Sequence, residues 1–138
     1  MDTAVFTKMR VKAGANGVVM HPPPDYPADV PFNLVADGSA DFVHLFVTSR
    51  AEIAERFDDA ACRVGDTGLF WVSYPKSTSK QRYDINRDSL WSLVLPRGWH
   101  PVAQVWMDDR WSAIRLVRNV PGTTYDPPSN VKTSASQT

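Results

Sequence analysis

The chain has 138 residues, with 15 basic and 15 acidic side chains and a formal net charge of zero. One domain of that size hides roughly 68% of the surface its unfolded chain exposes. Charged residues at 22% and hydrophobic ones at 43% describe a globular protein rather than a disordered chain or a membrane span, and balanced charge argues against a nucleic-acid module that depends on a net positive field.

The first apolar run is Gly17 to His21 (GVVMH), a short strand that runs directly into Pro22, Pro23 and Pro24. Five prolines between positions 22 and 31 remove backbone donors and exclude a helix there. Phe32 to Ala36 is a second short strand, closed by Asp37-Gly38-Ser39. Asp41 to Val47 (DFVHLFV) is almost continuously apolar, as expected of a strand covered on both faces. Ser49 and Glu52 have capping-box spacing and open a helix with Ile53, Ala54, Phe57 and Ala60 on one face. Leu69 to Tyr74 is another buried-type strand, stopped by Pro75. A polar loop over 76–84 leads to a helix capped by Asn86, with Ile85 placed to staple onto Leu90. Val102 to Met107 and Trp111 to Val117 then form an antiparallel hairpin across Asp108-Asp109-Arg110.

The order β–α–β–α–β–β over 41–118 predicts an α/β domain. It would be a three-layer, Rossmann-like and mainly parallel sheet, truncated, with a C-terminal antiparallel hairpin. Residues 1–118 read as one domain, and 119–138 has the composition of a disordered tail.

The segments LFWVSYPKSTSKQRYDINRDSLW (69–91) and VWMDDRWSAIR (105–115) carry a specific combination of motifs. They join W-x-x-x-P-K (Trp71, Pro75, Lys76) to a Ser-containing loop, then to a D-x-x-x-D helix start (Asp84, Asp88) and a late D-x-x-W-S-x-x-R element (Asp108, Trp111, Ser112, Arg115). In this combination the chain resembles a family of small bacterial α/β proteins known as a domain of unknown function, over roughly residues 40–118. The resemblance implies fold, size and bacterial origin, and brings no reaction. At fold level the strand order is similar to the C-terminal half of class I methyltransferases, which end in an antiparallel strand; fold alone does not fix function.

The chemistry-bearing residues exclude more than they assign. Cys62 is the sole cysteine, so neither a disulfide within the chain nor a thiolate zinc site can form. His21, His44 and His100 lie far apart, and no metal site is expected. There is no GxSxG, GxxxxGK[ST] or GxGxxG motif. A dinucleotide or S-adenosylmethionine cradle needs a glycine turn with free amides after the first strand. Here three prolines stand in that place, so no cofactor is expected, and Asp37 reads as a turn residue. Met1 to Val11 has no apolar core of signal-peptide length, and no run approaches the ~20 apolar residues of a membrane span, which makes a cytoplasmic location the expectation.

Ligands in parallel sheets gather beyond the carboxyl ends of the strands. The loop after Tyr74 is the candidate: Lys76 and Arg82 supply charge, Ser77 and Ser79 hydrogen bonds, and Asn86 with Arg87 opens a helix whose N-terminal amides favour anions. Tyr74, Lys76, Ser77, Ser79, Arg82, Asn86 and Arg87 are therefore the expected ligand residues, with no catalytic residue among them. The function this implies is a non-catalytic binding or regulatory module, leaning away from an enzyme, whose partner is an anionic small molecule. The alternatives are a methyltransferase-like small-molecule transferase and a self-associating protein using Trp99 and the strand 111–117 as an edge. Trp71 and Trp106 are expected in the core, with Trp99 and Trp111 partly exposed.

Overall fold

The computed structural model describes residues 2–125. The N-terminal residues form a four-residue helix, α1 (Val5–Lys8), which ends in two backbone bonds, Val11 N to Phe6 O at 3.0 Å and Arg10 N to Thr7 O at 3.1 Å. This is a Schellman ending, and it puts Arg10 at φ 62°, a left-handed position that glycine fills most readily. The first strand, β1 (Asn16–Met20), follows, and His21 at φ 58° turns the chain into its prolines. The remaining elements are β2 (Asn33–Leu34), β3 (Ala40–Phe46), α2 (Arg50–Ala61), β4 (Val64–Pro75), α3 (Arg87–Val94), β5 (Trp99–Trp106) and β6 (Trp111–Arg118). No helix among the described residues is long and apolar enough to cross a membrane.

The six strands make one mixed sheet in the order β2-β1-β3-β4-β6-β5. The first four are parallel, and β6 enters antiparallel between β4 and β5. This is the expected α/β fold with an antiparallel C-terminal pair. The N-terminal third joins the sheet: β1 pairs with β3 on one side and β2 on the other, and residues 21–32 make the parallel connection without a helix. The sheet margin differs from expectation, because β6 lies inside and β5 is the outer strand. Pro101 and the register shift between Pro101 and Ala103 interrupt that strand.

Two apolar clusters lie on opposite faces. On one, Ile53, Phe57 and Ala60 of α2 and Leu90 and Val94 of α3 pack on Val43, Leu45, Phe70, Val72 and Ile114. The helical periodicity read from the sequence supplies that face. On the other, Phe6, Met9, Phe32, Phe42, Phe46, Trp71 and Trp111 are buried together beneath α1 and the proline-rich connection. Phe32 lies across Gly17 so closely that a Cβ there would stand 2.3 Å from its ring, so this glycine is needed for a close approach. Trp71 donates its indole N–H to the Met9 carbonyl at 3.1 Å, which ties the N-terminal segment to the central strand. Trp99 and Trp111 are buried and Trp106 is 69% exposed, the reverse of expectation, because β5 is the margin and the first residue of each hairpin strand faces the core.

Within the second cluster, His44 is fully buried, with Nδ1 3.2 Å from the Tyr26 hydroxyl and Nε2 2.6 Å from Ser73 Oγ. Ser73 Oγ in turn donates to Met107 Sδ. One proton arrangement satisfies every group: Tyr26 O–H donates to Nδ1, Nε2–H donates to Ser73, and the imidazole is neutral. Burial pushes the His44 pKa down to about 3 and the Tyr26 hydroxyl well above its usual range.

An unfolded chain takes up a proton on this imidazole near pH 6.5, whereas the folded one resists until about 3, so acid favours unfolding across that window. By pH 4.5 the linkage amounts to about 2–3 kcal/mol. Urea midpoints of the native chain should therefore fall between pH 7 and 4.5 more steeply than those of His44→Gln; parallel curves would show that His44 is not the group responsible.

Candidate ligand site at the carboxyl edge of the sheet

The strand order reverses between β1 and β3, since the chain lies to one side of β1 at β2 and to the other at β3 and β4. Because β1, β3 and β4 run parallel, their carboxyl ends face one edge, where His21, Thr48, Ser49 and the loop after Pro75 meet solvent. Ser49 caps α2 by accepting from Glu52 N at 3.2 Å. The Glu52 carboxylate reaches back to Thr48 N at 2.7 Å and holds Arg56 at 3.1 Å.

The loop from Lys76 to Asn86 folds back on this cap. Asp84 accepts from Arg50 N at 3.0 Å, and the Asp84 carbonyl accepts from Arg50 Nε at 2.7 Å. The N-terminal amide of α2 is thus partnered by the chain's own carboxylate. Asn86 accepts from Ser89 N at 2.9 Å while Ser89 Oγ accepts from Asn86 N at 2.8 Å, so α3 begins with a closed capping box.

The expected ligand residues divide into three groups. Ser77 and Asn86 shape the loop: Ser77 Oγ accepts from Tyr83 N at 3.0 Å, and Asn86 is the cap. Tyr74 and Lys76 form its wall. Lys76 Nζ donates to the Asp108 carbonyl at 2.7 Å and stands 4.0 Å over the Trp106 ring, which joins the loop to the β5–β6 hairpin. Tyr74 is buried and bonded to Ser112; burial is the main cause that pushes its hydroxyl up to about 12, so it stays a protonated donor. Ser79, Arg82 and Arg87 are exposed, and their side chains hold no hydrogen bond or ion pair to another described residue. Ser79 and Arg82 lie on the loop, whereas Arg87 faces a groove of about 390 Å³ with Trp91, Val102 and Gln104, so the three do not converge on one point.

Asp108 accepts from the amides of Arg110 and Trp111, both at 2.8 Å, and so builds the hairpin turn rather than a paired-carboxylate site. Cys62 is exposed at the end of α2. No group of three or more metal-binding side chains occurs among the described residues. The Tyr26–His44–Ser73 chain escaped the sequence reading, because its members are 18 and 29 positions apart: parallel pairing brings His44 to Ser73, and the proline-rich connection lays Tyr26 against His44.

Several solved structures that share this architecture are named as methyltransferases. The glycopeptide N-methyltransferase MtfA superposes with a TM-score of 0.58 at 10% identity, covering 84% of this chain and 88% of its own. The 1,6-didemethyltoxoflavin-N1-methyltransferase of Burkholderia thailandensis, solved with 1,6-didemethyltoxoflavin and S-adenosylhomocysteine, gives 0.55 at 10% identity over 86% and 76%. The ribosomal protein L11 methylase of Lactobacillus delbrueckii subsp. bulgaricus gives 0.54 at 6% over 86% and 77%. The chain therefore has a methyltransferase-like Rossmann fold. No family model and no curated protein sequence matches it.

These neighbours correct three expectations: a non-catalytic module, a chain leaning away from an enzyme, and an anionic small molecule as its partner. The first two followed from the proline turn, and the third from the basic loop after Tyr74 and the helix start at Asn86. The full strand order, with β1 and β2 retained, aligns instead with chains named as methyltransferases, one of them solved with S-adenosylhomocysteine.

The group these names imply, S-adenosylmethionine, can be tested against the residues present. Pro22 to Pro24 have no amide to donate, and Tyr26 N is already bonded to the Pro23 carbonyl at 3.0 Å. The turn after β1 does not fit the cofactor in the manner of a glycine cradle. Exposed Asp37 follows β2, at the position where an acid could meet ribose hydroxyls.

Asp84→Ala should release the loop from α2: amide exchange across 76–85 is expected to speed up about tenfold while β3 and β4 are unchanged. Unaltered exchange over 76–85 would show that the loop is ordered by something other than this clamp.

Proposed function

We propose that the chain is a small-molecule transferase on a methyltransferase-like sheet, with its ligand held along the carboxyl edge of β3 and β4 rather than in the turn after β1. The observation that carries this reading is the sheet β2-β1-β3-β4-β6-β5, whose parallel β1, β3 and β4 bring their carboxyl ends to one edge beside the reversal of strand order between β1 and β3. The neighbours named as methyltransferases support it at the level of fold.

In this reading Ser79 and Arg82 contact the ligand, since their side chains make no hydrogen bond or ion pair to another described residue, and Arg87 lines the adjoining groove. Ser77, Asn86 and Asp84 hold the loop in its shape. Tyr74 supplies a fixed, protonated hydroxyl at the end of β4, and Lys76 with Trp106 closes the far side. Residues 1–118 act as the single domain, and the exposed thiol of Cys62 suits a reducing, cytoplasmic setting.

An amide chemical-shift titration with S-adenosylhomocysteine tests the assignment. Shifts are expected at 48–50 and 74–87 with 21–26 quiet, and Arg82→Gln should weaken binding about threefold to fivefold. Absence of shifts in both expected segments at millimolar ligand, or shifts concentrated at 21–26, would overturn it.

A further inference from the structure

The opposite edge of the sheet holds a second feature. A cleft of about 720 Å³ opens at the amino ends of β3 and β4, on the face covered by α1. It lies about 20 Å from the carboxyl edge, the length of the seven-residue strand β3. Val11, Phe42 and Leu69 give it an apolar floor, and Arg10, Lys12 and Arg115 surround that floor.

None of these three cations forms a hydrogen bond through its side chain or an ion pair with another described residue. Arg115 is the most telling. It is half-buried on β6, opposite Trp71 of β4 and Ala103 of β5, in the interior of the sheet rather than on a solvated loop. Among the described residues, the one carboxylate lining the cleft, Asp41, is engaged by Asn16 N at 3.1 Å. Three cations against one acid leave an excess of two positive charges in a chain whose total is zero. Arg10 occupies the left-handed end of α1, a position that glycine fills more readily, and so stands at the rim of the cleft at a local backbone cost.

We propose that this cleft docks an acidic segment of a partner protein. Charge complementarity sets the sign of the occupant, and the apolar floor calls for aliphatic side chains between the acids. Pockets for small ligands surround most of the ligand, whereas this cleft is open along one side and its cations are distributed over α1's ending and β6. That geometry fits an extended chain laid across the sheet edge better than an enclosed molecule.

The test is fluorescence anisotropy with a labelled peptide of alternating glutamate and leucine at low salt. Saturable binding is expected, weakened on the order of tenfold by Arg115→Gln and about threefold by Lys12→Gln, and reduced by added salt. Lys80→Gln, the same charge change at the opposite edge, should leave it unchanged. Thermal melts of each variant report folding, and Lys12→Gln on its exposed loop keeps the test intact should Arg115→Gln unfold. Absence of binding, or affinity equal in the native chain and both cleft variants, overturns the proposal. So does displacement of the peptide by inorganic phosphate where chloride of equal ionic strength has no effect, which would assign the cleft to a small phosphorylated ligand.

Discussion

The parallel pairing of β3 with β4 is the constraint from which the molecule is organised. Its residues from Phe42 to Phe46 and from Phe70 to Pro75 are buried, so both sides of the ribbon must be covered. One side receives α2 and α3. The other receives α1, the proline-rich connection and the ring cluster around Phe46 and Trp71. The polar groups inside this pair are neutral and mutually satisfied through His44 and Ser73, as a dry parallel sheet requires. Because both strands run the same way, their carboxyl ends emerge together, and the candidate ligand edge is a direct result.

Much of this was legible in the sequence where physical periodicity is strong. The apolar runs 41–47 and 69–74 and the capped helices at Ser49 and Asn86 are local signals, each confirmed within a few residues. The N-terminal third was less legible. The run 32–36 reads as a strand and spans β2, although only two residues pair there, whereas α1 is a single turn without an apolar period and does not exceed the background of a short chain segment. Their positions follow from what the central pair needs covered. Sheet order is equally non-local: nothing in the hairpin itself says that β6 rather than β5 lies inside, and that order, together with which face each residue of β5 takes, decides that Trp106 is exposed while Trp99 at the start of the same strand is buried.

The candidate site shows the same division. The loop after Tyr74 was recognisable from its polar composition and its place after a buried strand. The work its residues do was not, because Asp84 partners Arg50 across 34 positions and Lys76 meets the Asp108 carbonyl across 32. The missing amides of Pro22 to Pro24 were read correctly as chemistry and too broadly as function. Prolines there exclude a glycine cradle, but they leave β1 and β2 in the sheet and the carboxyl edge of β3 and β4 intact.

The two margins of the sheet carry a consequence for how the molecule behaves among its own copies. A chain of zero net charge has little long-range repulsion to keep identical molecules apart. Its open backbone is correspondingly poor as a template: the β2 margin offers two residues, and the β5 margin is broken by an imino acid and an irregular register. Edge-to-edge fibril growth is thus opposed by geometry at both ends, in a protein whose electrostatics would do little to prevent it.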